Sequence, residues 1–124
     1  MSEALRGIVV CHGSVARALV EAVEQISGIA GRLTPVSNSG CGLGELEQRV
    51  TEAIGDRPAV VFVDMPSSSC LFAALQQAKS RGDVRVVTGV NLAMLLDFVF
   101  HSDGQPAAAA GRAEGTGRKS IQVV

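Results

Sequence analysis

A histidine directly follows one short apolar run, Gly7 to Cys11 (GIVVC), and an aspartate directly follows another, Ala59 to Val63 (AVVFV). An imidazole can serve as base, metal ligand or nucleophile. When a carboxylate accepts a hydrogen bond from one ring nitrogen, the other is fixed as the neutral, nucleophilic one. His12 and Asp64 are therefore suited to taking up a phosphoryl group if the fold brings them together. That group needs donors around its oxygens. The backbone at Gly13 and Ser14 and the segment at Ser68 and Ser69 stand where helices begin, with free N–H groups and a favourable dipole. The hydroxyls of Ser67, Ser68 and Ser69 add further donors, so no metal or cofactor is required. No Walker-type glycine-rich loop is present, which favours a phosphoprotein over ATP as donor.

Two residues do not make a site by themselves. His12 as an ordinary loop histidine, with Asp64 capping a helix, fits the same pair. A second chemistry overlaps the first: Cys11 to Arg17 has a Cys-x5-Arg spacing that resembles the loop of low-molecular-weight protein tyrosine phosphatases. There Cys11 would be a thiolate activated by a helix N-terminus, Arg17 a bidentate phosphate clamp and Asp64 a general acid. Against this, Val15, Leu19 and Val23 mark the buried face of the following helix and leave Arg17 in solvent. A third reading is a degenerate domain that binds a partner without phosphate chemistry.

The elements that must position these residues alternate along the chain. After the first strand, Val15, Leu19, Ala22, Val23 and Ile26 recur at helical spacing, between a Ser14 cap and a Gly28 stop. Leu33 to Val36 is a second strand whose proline suits a sheet edge. Leu46, Val50 and Ile54 mark a second helix ending at Gly55, and Ala59 to Val63 is the clearest buried strand. Leu71 to Ser80 reads as a helix, Val84 to Val87 as a strand, and Asn91 to Phe100 as an apolar helix with Asn91 as its cap or turn. Residues 102–120 are either a frayed helix or a linker, because Gly111, Gly115 and Gly117 weaken helix there; Ile121 to Val124 is a last short strand.

This pattern predicts a three-layer α/β fold: an open, mainly parallel sheet of order 2-1-3-4 plus an antiparallel edge strand, with helices on both faces. In such sheets ligands bind at the carboxyl ends of the strands where strand order reverses. Here the reversal falls between the strands ending at His12 and Asp64, about fifty positions apart.

Composition narrows the class. The 124 residues are 47% hydrophobic and 19% charged, which makes one globular domain over residues 1–124. A formal net charge of -1 gives no basic face for nucleic acid. The three cysteines and two histidines contain no CxxC or other close pairing, so neither a disulfide framework nor a zinc site is expected. No apolar segment approaches the ~20 residues that span a bilayer, and nothing reads as a signal peptide, so a cytoplasmic protein without membrane insertion is expected.

Three segments resemble the enzyme IIA domains of the mannose/fructose/sorbose family of the bacterial sugar phosphotransferase system. They are Gly7 to Ala16 (GIVVCHGSVA), Val60 to Ala74 (VVFVDMPSSSCLFAA) and Thr88 to Asp97 (TGVNLAMLLD), the last being the most specific. The resemblance implies an open α/β sheet and a homodimer that exchanges its last strand, here Ile121 to Val124. It also implies a phosphohistidine that receives phosphate from the histidine-containing phosphocarrier protein and passes it to an enzyme IIB partner. By position, His12 is the phosphoacceptor, Asp64 its ring-orienting partner and Ser69 the hydroxyl near the phosphate. The chain departs from the family where two glycines, a serine and a proline usually follow the aspartate: it has Ser67, Ser68, Ser69 and Cys70, preceded by Pro66. No IIB domain follows, so the phosphate goes to a separate IIB protein, or its presence is reported to a regulatory partner.

Overall fold

The computed structural model describes residues 4–124. The order of elements is β1 (Arg6–Cys11), α1 (Val15–Ser27), β2 (Leu33–Ser37), α2 (Leu43–Ile54), β3 (Ala59–Val63), α3 (Ser69–Ser80), β4 (Val84–Thr88), α4 (Leu92–Phe100) and α5 (Pro106–Lys119). The strands form a four-stranded sheet of order β2-β1-β3-β4, and every neighbouring pair is parallel. This is the α/β fold expected from the alternation.

β1 and β3 lie at the centre because their β-branched and aromatic side chains have cores to enter on both sides. Successive side chains of a strand point to opposite faces. Val9, Cys11, Val60 and Phe62 accordingly pack with Val20 and Val23 of α1, Leu95 and Phe98 of α4 and Ala109 and Ala113 of α5. Ile8, Val10, Val61 and Val63 pack with Leu46, Val50 and Ile54 of α2 and Cys70, Ala73 and Ala74 of α3 on the other face. The rings of Phe62 and Phe98 meet edge to face at 5.2 Å. Pro35 lies opposite Val9 in β2, an edge strand, where a missing N–H is tolerated.

The structure resolves or changes several expectations. Of the two readings left open for residues 102–120, the helix holds over Pro106–Lys119: Pro106 starts it and Ala109, Ala113 and Gly117 form its buried stripe. Gly117 serves close packing, since a Cβ there would lie 2.8 Å from Met94 Cε. The expected antiparallel edge strand is not seen within the single chain: among the described residues the sheet has four strands, and Ile121 to Val124 pairs with none of them and lies exposed. The buried face of α1 is Ala16, Val20 and Val23, while Val15 and Ile26 face solvent. The spacing was helical, but several rotations of the helix satisfied it, and only packing on the sheet selects one. α3 also begins earlier than Leu71, at Ser69.

Candidate functional site

The carboxyl ends of β1 and β3 are adjacent at the point where strand order reverses, and His12 and Asp64 follow those ends directly. β1 turns into α1 through Gly13, whose φ of 58° lies in the left-handed region that glycine enters freely. The Gly13 amide donates to Asn38 Oδ1 at 3.1 Å, and its carbonyl accepts from Ser37 Oγ at 2.7 Å. The loop after β2 thus braces the histidine loop, and Arg49 of α2 holds it by donating to the carbonyls of Ser37 (2.8 Å) and Ser39 (3.1 Å). Sequence reasoning missed Ser37 and Asn38. Their one signal was position, at the carboxyl end of a strand neighbouring β1.

His12 Nδ1 lies 2.9 Å from Asp64 Oδ2, and the His12 amide donates to the same oxygen at 3.0 Å. An ionised carboxylate only accepts, so Nδ1 carries the proton, and whenever the ring is uncharged Nε2 carries the lone pair. The imidazole is 42% exposed while the carboxylate is 16% exposed, which leaves the ring accessible and its partner shielded. Burial is the largest influence on Asp64 and acts to raise its carboxyl. The hydrogen bonds from the His12 amide and ring, the charge of the ring and the Asp64 amide together outweigh it, and the carboxyl lies below its ordinary value. Asp64 Oδ1 is buried and accepts no hydrogen bond.

The other expected site residues flank this pair. Ser68 caps α3, its Oγ accepting from the Leu71 amide at 3.2 Å. Ser69 is the exposed first residue of α3 and Ser14 the exposed residue preceding α1. Ser14 makes no side-chain cap, contrary to expectation, so its hydroxyl is uncommitted. Neither Ser14 nor Ser69 hydrogen-bonds to the His12 ring, although both stand where opening amides of a helix face outward. Beside the histidine loop a hollow of about 360 Å³ is lined by Gly13, Ser14, Arg17, Pro35, Ser37 and Ser39 among others.

The phosphatase reading fails on Cys11. Its thiol is fully buried in the core, and burial first, then the charges of Asp64 and Cys70, push it up to about 12. A protonated, enclosed thiol is no nucleophile. Arg17 is exposed on α1, as expected of a solvated helix residue. Asn91 is a cap: its Oδ1 accepts from the Met94 amide at 3.0 Å while its Nδ2 donates to the Gly117 carbonyl at 3.1 Å.

Cys70 was not anticipated at the site. Burial, then the charge of Asp64, then that of Cys41, raise its thiol to about 11. One ligand-capable atom from each of His12, Asp64 and Cys70 lies within 4.8 Å of the other two. The sequence hid this grouping because its members come from two strand ends and a helix start, with no short motif joining them.

The sequence matches the family described as PTS system fructose IIA component over residues 7–112. No curated protein sequence matches it. Among solved structures, the fold is similar to phosphotransferase system component EIIA from Streptococcus agalactiae, with a TM-score of 0.89, 16% identity and 96% of each chain covered. It is similar to the mannose/sorbose specific IIA subunit from Enterococcus faecalis, with a TM-score of 0.86 and 18% identity over 98% of this chain and 96% of that one. It is also similar to the PTS IIA protein associated with the fucose utilization operon of Streptococcus pneumoniae, with a TM-score of 0.81 and 20% identity over 99% and 96% of the two chains.

Proposed function

The chain belongs to the family of PTS fructose-type IIA components, and from that premise we propose that it is a phosphocarrier whose His12 Nε2 accepts a phosphoryl group from the histidine-containing phosphocarrier protein. The group then passes to an enzyme IIB protein or is read by a regulatory partner. The observation that carries this reading is the bond from His12 Nδ1 to Asp64 Oδ2, which leaves Nε2 as the nucleophilic nitrogen of a half-exposed ring.

The geometry supports a direct in-line transfer. Nε2 attacks the phosphorus held on the donor's histidine, and the donor N–P bond breaks as the new one forms. The donor ring keeps the electron pair. Phosphorylation draws electron density from the His12 ring, so its Nδ1–H becomes a stronger donor and the Asp64 carboxylate gains interaction as the product forms. The opening turns of α1 and α3, with the hydroxyls of Ser14, Ser68 and Ser69, offer donors to the phosphoryl oxygens. Ser68 can donate its hydroxyl proton while its oxygen continues to cap α3.

A homodimer belongs to the same proposal. Ile121, Val123 and Val124 are exposed apolar residues, and Ile121 also lines a groove of about 500 Å³ between the outer edge of β4 and α5. An unpaired strand edge beside an apolar tail suits pairing with a second copy. A cytoplasmic setting fits the partners, and among the described residues no helix is long and apolar enough to cross a membrane.

The test is phosphorylation in a reconstituted chain of phosphoenolpyruvate, enzyme I and the phosphocarrier protein. The reading expects acid-labile, base-stable phosphate on the chain and none on His12→Ala. Unlabelled wild type beside a working control IIA domain would refute it.

A further inference from the structure

We propose that His12, Asp64 and Cys70 also bind a thiophilic divalent cation of the zinc class, and that its occupancy switches off phosphoryl acceptance; the binding stands alone, while the switching rests on the function proposed above. The three residues offer an imidazole nitrogen, a carboxylate oxygen and a thiol sulfur, all within 4.8 Å of one another. Zinc takes such mixed donors at about 2.0–2.3 Å, which sets neighbouring ligands about 3.3–3.8 Å apart. Side-chain adjustments on the order of 1 Å therefore close the site around an ion. Three protein ligands leave a fourth position open to water or solvent-borne anions.

Two further observations point to a cation. Asp64 Oδ1 is a buried carboxylate oxygen with no hydrogen-bond donor, an arrangement that a positive charge would satisfy. Cys70 is buried, reduced and free of any disulfide, on the first turn of α3. The half-exposed His12 ring gives the ion a way in.

The position of Asp64 selects the ring nitrogen. Because Nδ1 faces the carboxylate, the ion would replace the Nδ1 proton and sit between ring, carboxylate and sulfur. The ring proton then moves, by exchange with solvent, to Nε2, and the thiol proton is released to buffer as the thiolate binds. No redox change occurs. The result is the opposite tautomer: Nε2 carries hydrogen, and the nucleophile is gone.

The experiment titrates the purified full-length chain with Co²⁺, followed by competition with Zn²⁺. Cobalt bound to a thiolate shows a sulfur-to-metal charge-transfer absorption, read without any phosphotransfer. The proposal expects this band at one equivalent in wild type and in Cys41→Ser. It expects no band in Cys70→Ser or Cys70→Ala, each checked for fold by circular dichroism, and binding weakened more than about tenfold in His12→Ala. Absence of the band in wild type, or its dependence on Cys41 instead of Cys70, overturns the site. In a second arm, pre-phosphorylated carrier protein labels His12 with and without Zn²⁺. The ratio of the two rates should fall at least about tenfold in wild type, recover with chelator, and stay near one in Cys70→Ser. A zinc-insensitive rate in wild type that shows the cobalt band would overturn the switch while leaving both the site and the phosphocarrier function standing.

Discussion

Replacing Asp64 by asparagine keeps the side-chain shape and removes the charge, so its effect can be worked out from two hydrogen bonds. Oδ2 accepts from both the ring Nδ1 and the amide of His12, while Oδ1 is enclosed without a donor. An asparagine has two ways to sit there. With its oxygen toward His12 both bonds survive, but the NH₂ group occupies the enclosed position and goes unsatisfied, which costs about 1–3 kcal/mol. With its NH₂ toward His12, the ring must accept at Nδ1. The proton is then forced onto Nε2, and the nucleophile disappears. In either arrangement the charge opposite the phosphorylated ring is lost, and hydrogen bonds to charged groups are worth about 1.5–3 kcal/mol. At 1.36 kcal/mol for each factor of ten, phosphoryl acceptance should slow by about 10- to 150-fold. Rapid-quench labelling from pre-phosphorylated carrier protein measures this, with far-UV circular dichroism to confirm the fold. A rate within twofold of wild type would refute the argument that Asp64 sets the reactive nitrogen.

Gly7→Ala should destabilise the fold by about 1–3 kcal/mol in urea unfolding, because the new Cβ would lie 2.6 Å from Leu33 Cδ2 and 2.7 Å from Phe98 Cε2. Gly111→Ala should do the reverse, adding about 0.4–1 kcal/mol, since nothing beyond its chain neighbours and its own helix backbone lies within 4 Å of its Cβ position; equal effects of the two would contradict the packing account. The Asp64 carboxyl is lowered by His12, so its contribution to stability is full above its unfolded-state value near about 4 and is lost as pH falls through the lower folded value. The stability difference between wild type and Asp64→Asn should therefore be flat near neutrality and shrink on acidification below about pH 4; a gap that widened there would reverse the assigned sign. Cys11, buried with its thiol raised to about 12, should resist iodoacetamide in the native state, and the chain should not hydrolyse p-nitrophenyl phosphate; native alkylation at Cys11 would reopen the phosphatase reading.

The parts of this molecule that were legible in its sequence are those with local physical signatures. GIVVC and AVVFV are too short for helices and too apolar for one-sided strands, so they had to be central, and the residues ending them had to share a rim. Pro35 marked its strand as an edge for an equally local reason. What was hidden depends on tertiary contacts. Helical spacing in α1 did not reveal that Val20, and not Val15, faces the sheet. The glycines of α5 argued against a helix until Gly117 is seen to pack on Met94, so that packing offsets a poor propensity. Ile121 to Val124 has a strand's composition, but among the described residues it pairs with no strand of its own chain, and composition does not say which edge a strand joins. At the site, His12 and Asp64 were readable because strand ends announce them. Ser37, Asn38 and Cys70 act through contacts across loops that no spacing encodes.

The central claim concerns one atom, Nε2 of His12. Nuclear magnetic resonance of the phosphorylated chain, with nitrogen-15 in the histidine rings, reports which nitrogen is bonded to phosphorus. The expected result is a single N–P coupling at Nε2 of His12, with Nδ1 still protonated and hydrogen-bonded. Phosphate on Nδ1, on His101, or on no histidine at all would contradict the account.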